Sequence, residues 1–151
     1  MKTMARADCR AEIVRRLEHL SPSSERRWGR MSAPQMVCHL IDSFRMMTGE
    51  TPVSDASSRF QRTVTRCLAL YVPIQWPRGF ATRPEIDQEF LGTRPGEFAT
   101  DRALLASLVE PVCTSTSVEH PAHPVFGRMS HAAWLRWAYL HMDHHLRQFG
   151  V

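Results

Sequence analysis

The segment SHAAWLRWAYLHMDHHLRQFG, Ser130–Gly150, decides the fold. Its inward letters recur at helical spacing: Trp134, Trp137, Ala138, His141, His145 and Phe149 share one face at about 100° per residue, and Leu135, Met142 and Leu146 widen it. Ser130 is placed to cap the first turn and Gly150 to end the last. The spacing predicts a long C-terminal helix whose buried stripe carries two histidines. The period-two alternation of a strand is not evident there or elsewhere in the chain.

The clearest early counterpart is Ser32–Thr48. Ser32 and Gln35 have the spacing of a capping box, Pro34 is tolerated in the first turn, and Gly49 can close the helix. Met36, Val37, Leu40, Ile41, Phe44 and Met47 form its apolar face, with Gln35, Asp42 and Arg45 opposite and His39 at the boundary. Both starts share a tetrapeptide: Gly29-Arg30-Met31-Ser32 after Trp28, and Gly127-Arg128-Met129-Ser130 after Phe126. Common capping chemistry accounts for this echo as well as duplication would.

The remaining chain adds a first helix over about Ala5–Leu20, stopped near Ser21-Pro22, and another over Ser57–Tyr71 using Phe60, Val64, Cys67, Leu68 and Tyr71. Prolines and glycines make Trp76–Glu97 a long connection. Its Trp76, Phe80 and Phe90, with Phe98 just beyond, either cover a pocket or fasten the loop to the core, the second being favoured. Thr100 can cap a short helix over Asp101–Glu110, which Pro111 interrupts. The expected fold is all-α: a four-helix bundle with an additional short helix and long connections, residues 1–151 forming a single domain.

Composition bounds the function without naming it. The 151 residues are 43% apolar and 23% charged, as in one globular domain, and the net charge of +4 identifies no partner. Arg6, Arg10, Arg15, Arg16, Arg26, Arg27 and Arg30 read as solvated surface charge instead of a nucleic-acid footprint. The apolar run CLALYVPI, Cys67–Ile74, is far shorter than the roughly 20 residues of a spanning helix, and MKTMARADCR lacks the apolar stretch of a secretory signal. The expectation is a soluble cytoplasmic protein with neither a membrane nor a nucleic-acid partner. Cys9, Cys38, Cys67 and Cys113 form no CxxC pair and read as reduced thiols, with Cys38 and Cys67 buried.

Chemistry concentrates in the histidines. His141 and His145 lie one turn apart, so two imidazoles can approach one ion, although two hydrogen-bonded core histidines would give the same letters. His39 is the leading third donor because it lies on the other well-capped helix. Three neutral imidazoles could hold zinc, nickel or another borderline divalent ion and leave a position open. Such an ion lowers the pKa of water or polarises a thiol or carbonyl. Asp42 could orient an imidazole and His144 could add a hydrogen bond behind the ligands, but a solvated charge pair and a helix-interface histidine are the plainer readings. His19, His120, His123 and His131 read as surface or turn residues, and no carboxylate is placed as a general base.

These letters resemble the DinB/YfiT-like superfamily, and a small uncharacterised branch of it. The resemblance rests on WGRMSAPQMVCHL at Trp28–Leu40 and on HPVFGRMS and HLRQFG between His123 and Gly150, with YLHMDHHLRQF its most specific part. It implies a DinB-like helical bundle with a divalent-metal centre at His39, His141 and His145, and a structural or supporting role for Gln148. Some characterised relatives transfer low-molecular-weight thiols or act on thiol conjugates. The resemblance therefore implies a metal-dependent transferase or hydrolase acting on a small molecule such as a thiol. A non-catalytic, metal-stabilised binding module is the alternative. Relatives dimerise, so a homodimer is compatible, but no heptad seam specifies one.

Overall fold

The protein is described by a computed structural model covering residues 1–115 and 119–151. Its helices are α1 (Ala7–Glu18), α2 (Ala33–Thr48), α3 (Arg66–Tyr71), α4 (Phe98–Thr114) and α5 (His131–Gln148). A π-helical turn, Gln61–Thr65, leads into α3, and a 3-10 turn, Pro84–Ile86, interrupts the long connection. No strand is present among the described residues beyond an isolated bridge between His123 and Gly127. The all-α expectation is met.

The two helices with the best sequence signals start as the sequence predicts. The Ser32 hydroxyl accepts from Gln35 N–H at 3.3 Å while Ser32 N–H donates to Gln35 Oε1 at 2.8 Å, satisfying two of the donors a helix start leaves free. Gly49, at φ 84°, occupies the left-handed closing position that glycine reaches without strain. At α5 the Ser130 hydroxyl accepts from Ala133 N–H. The echoed tetrapeptides thus mark two similarly built helix starts, with Gly29 and Gly127 both at positive φ.

The four long helices pack as a bundle, with α1 against α4 and α5, and α2 against α4 and α5. Ile13 and Leu17 of α1, Met36 and Leu40 of α2, Leu105 of α4, and Trp134, Met142 and Leu146 of α5 are fully buried. Burying one such side chain contributes roughly 1.5–3 kcal/mol. Arg136, though charged, is buried on α5; it donates to the carbonyls of Leu70 (2.9 Å) and Lys2, tying α3 and the N-terminal segment to the bundle.

Three local expectations need correction. The fourth helix is longer than Asp101–Glu110: it begins at Phe98, capped by the Glu97 carboxylate on Ala99 and Thr100 N–H instead of by Thr100, and runs through Pro111 to Thr114. Burial of Val112 and Cys113 offsets the single backbone bond that Pro111 forfeits. In the 57–71 region, Leu70 faces inward, whereas Phe60, Val64, Leu68 and Tyr71 are exposed. Cys67 is exposed as well, so its reading as a buried thiol fails, while Cys38 is buried as expected. The five-residue π-helical turn shifts the phase on which that apolar face was drawn.

Of the arginines expected at the surface, Arg6, Arg15, Arg26, Arg27 and Arg30 are exposed, whereas Arg16 is half-buried and Arg10 is buried. Arg10 is buried and forms a two-point pair with Glu110 on α4, Arg16 pairs with Asp143 on α5, and Arg30 bridges Asp87 and Glu89. No helix among the described residues is long and apolar enough to cross a membrane.

Candidate metal centre

His39 projects from α2, and His141 and His145 from successive turns of α5. The Nε2 atoms of His39 and His141 lie 3.2 Å apart, as do those of His145 and His141. For an ion about 2.0–2.1 Å from each nitrogen, tetrahedral ligands would be separated by about 3.3–3.4 Å. The observed edges are close to that, and one donor atom from each of the three histidines lies within 4.8 Å of those of the other two. Among the described residues no fourth histidine, cysteine or carboxylate joins the group.

The outer nitrogens fix which atoms point inward. His39 Nδ1 lies 2.9 Å from the Ile86 carbonyl, which can only accept, so Nδ1 carries the hydrogen and Nε2 the lone pair. Gln148 Nε2 donates to the Trp28 carbonyl at 2.8 Å, which orients the amide and leaves Oε1 for His145 Nδ1 at 2.9 Å. Nδ1 of His145 is therefore also a donor. Gly29 makes this arrangement possible: a Cβ there would stand 2.5 Å from Gln148 Nε2. Trp137 stacks on the His141 ring at 4.7 Å and limits its rotation.

Burial disfavours a positive charge on the cluster. It is the largest influence lowering the pKa of His39, His141 and His145, and for the latter two the neighbouring histidines lower it further. Neutral imidazole is the form that binds a metal ion.

Asp42, expected to orient a ligand or to be solvated, is buried and occupied elsewhere. Its carboxylate accepts from Thr93 N–H (2.8 Å), Thr93 Oγ1 (2.6 Å) and Gln88 Nε2 (3.0 Å). It fastens to α2 the long connection whose Ile86 carbonyl meets His39. His144 lies beside the trio, its ring 5.3 Å from His145 and near Trp28 and Trp76. Its Nδ1 is buried without a hydrogen-bond partner.

Trp76 does both things considered for the connection's aromatics. Its indole N–H donates to Ala69 O at 2.8 Å, and its ring lies 6.2 Å from that of His141. Phe80 and Phe90 are instead exposed at the rim. The histidines open into a cavity of about 750 Å³, also lined by Trp28, Leu68, Ile74 and Arg83. That volume lies in the range of small-molecule sites.

Two contributions were not legible beforehand. The Ile86 carbonyl carries no side-chain signal. His123, read as a turn residue, is buried against Phe126, Trp134 and Trp137. His120 and His131 are hydrogen-bonded to each other at 2.8 Å, away from the trio.

Residues 6–150 match a family model described as "Protein of unknown function (DUF1569)". Comparison with curated proteins and with solved structures returned no match.

Proposed function

The chain belongs to the DUF1569 family of proteins of unknown function, and we propose that it is a divalent-metal-dependent enzyme acting on a small molecule by transfer or hydrolysis. The observation that carries this reading is the convergence of three imidazoles, with two Nε2–Nε2 spacings of 3.2 Å, at the wall of an open cavity. The all-nitrogen donor set suits zinc or nickel. The DinB/YfiT resemblance adds a low-molecular-weight thiol, or its conjugate, as a reacting partner.

In this reading His39, His141 and His145 hold the ion. Ile86 O and Gln148 fix the two outer imidazoles, so their ligating atoms need little reorganisation on binding. The ion, when bound, supplies Lewis-acid activation of a thiol, water or carbonyl. His144 offers a hydrogen bond to a molecule in the cavity, and Trp76 and Trp137 keep bulk water from one side of the cluster. The alternative, a metal-stabilised binding module, is less favoured because three protein donors facing a cavity leave a position for an exogenous ligand.

The test is elemental analysis of protein purified without chelator, followed by turnover assays with thiols and electrophilic or hydrolysable acceptors. About one divalent ion per chain, with metal-dependent turnover, supports the proposal. Protein that takes up no ion rejects it, and one bound ion without turnover on any acceptor favours the binding module.

A further inference from the structure

Beyond the histidines, the cavity wall has a chemistry of its own. Leu68, Ile74, Phe80 and Phe90 line it and remain 46%, 57%, 62% and 62% exposed. Four large apolar side chains kept open to water around one depression are the usual sign of a binding surface. They come from α3 and from both halves of the long connection, so the depression is walled on several sides.

The cavity's cations differ from one another. Arg30 is neutralised by Asp87 and Glu89. Arg83 has no carboxylate within ion-pair distance among the described residues; its Nη2 donates to Ser54 Oγ, and Ser54 N–H donates to Glu85 Oε1 at 3.1 Å, so the Glu85 carboxylate, its pKa held down by Ser54 and to a smaller degree by the Arg83 charge, balances this cation only at a distance. A guanidinium outside any ion pair and beside apolar walls selects an oxygen anion attached to an apolar body. Arg83 lies three residues before Ile86, whose carbonyl holds His39, so one short segment contributes both a cation to the cavity wall and an anchor to the histidine cluster.

We infer that the cavity receives an amphiphilic anion, whose chain- or ring-like apolar body lies along Leu68, Ile74, Phe80 and Phe90 and whose anionic group is received by Arg83. The inference rests on the metal-enzyme reading only for what happens at the histidines, where the ligand's reacting group would face His39, His141 and His145. The substrate class thereby narrows from any small molecule to an apolar carboxylate or similar oxyanion, including one joined to a thiol.

Straight-chain carboxylates from butanoate to decanoate, titrated calorimetrically into the whole chain with and without one equivalent of zinc, test the inference. The expected result is a Kd that falls about threefold to fourfold per added methylene, in both metal states. Leu68→Asn and Phe90→Asn, both at exposed positions that leave the core intact, should flatten this dependence. Arg83→Met should weaken every member by a similar factor, about tenfold, without altering the dependence on length.

Affinity that is flat with chain length, or unchanged in Arg83→Met, overturns the inference even where zinc binds. A length dependence that persists although zinc does not bind upholds it while removing the metal reading, so the two failures are distinguishable. Self-association over the exposed apolar side chains, seen by sedimentation and undisturbed by decanoate, would make a second copy of the chain the occupant and overturn the proposal.

Discussion

His39 and His141 are separated by 102 residues in the chain, yet their Nε2 atoms approach to 3.2 Å across the interface between α2 and α5. Each outer anchor seen for this cluster is a hydrogen bond from Nδ1: His39 to a backbone carbonyl and His145 to Gln148. The two helices therefore present lone pairs to a common point. The packing of α2 on α5 and the geometry of the histidine trio are consequently one property, and a change in either should be read out in the other.

Replacing His141 with Ala should reduce bound metal from about one ion per chain to below a tenth, because His141 Nε2 is the atom shared by both short edges. Elemental analysis at matched far-ultraviolet circular dichroism measures this. Unchanged stoichiometry would falsify the ligand assignment.

Gln148→Ala should lower zinc affinity by about 10–100-fold through loss of the Nδ1 partner of His145, with all three candidate ligands still in place. Gly29→Ala should act in the same direction. Its Cβ displaces the Gln148 amide, and alanine is strained at φ 78°. Chelator competition gives the affinity, and equal affinity in all three proteins would mean that Gln148 has no part in holding His145.

Stability should divide along the exposure pattern. Leu105→Ala, at a fully buried site in α4, should destabilise by about 2–5 kcal/mol, whereas Leu68→Ala should stay within about 0.5 kcal/mol. Urea unfolding of the two variants decides it. A large loss in Leu68→Ala would show that this side chain is packed in solution.

His123 gives a signed pH dependence. Burial pushes its pKa down to about 3, and its Nδ1 accepts from Val125 and Phe126 N–H, an arrangement that protonation would break. As pH falls below about 6.5 the unfolded chain takes a proton that the folded one refuses, so folding stability should drop by up to about 1.4 kcal/mol per pH unit from this group. The contribution is complete above pH 6.5 and is lost progressively toward pH 3. His123→Asn, which keeps an acceptor but does not titrate there, should flatten the stability profile between pH 6 and 4; a slope equal to that of the unmodified protein would count against the assignment.

Thiol labelling under native conditions should modify Cys67 first. It alone of the four cysteines is exposed, while burial holds the Cys38 and Cys113 thiols at about 12, with Asp101 adding to the effect on Cys38. Peptide mapping after brief exposure to a maleimide reads this out, and equal labelling at Cys38 or Cys113 would mean that the core opens readily.

The sequence carried the parts of this protein that local chemistry dictates. Ser32 with Gln35 and Gly49 bound α2, Ser130 starts α5, and the 3.6-residue period drew the buried stripe from Trp134 to His145. One turn between His141 and His145 sufficed to place two imidazoles together. The phase of the 57–71 region and the persistence of α4 through Pro111 escaped, because a π-helical turn and the burial of Val112 and Cys113 override local preference.

What only the tertiary structure decided is how the groups are joined. Asp42 lies on the polar side of its helical wheel, but the long connection crosses over it, and Thr93 and Gln88 donate to its carboxylate with Arg45 nearby. The long connection also brings the Ile86 carbonyl to His39, Trp76 to His141, and Arg83 to the cavity wall. A periodic pattern states which face of a helix is apolar. It holds no information about which distant backbone carbonyl or amide will meet a given imidazole, since that depends on how α2, α5 and an aperiodic segment pack in three dimensions.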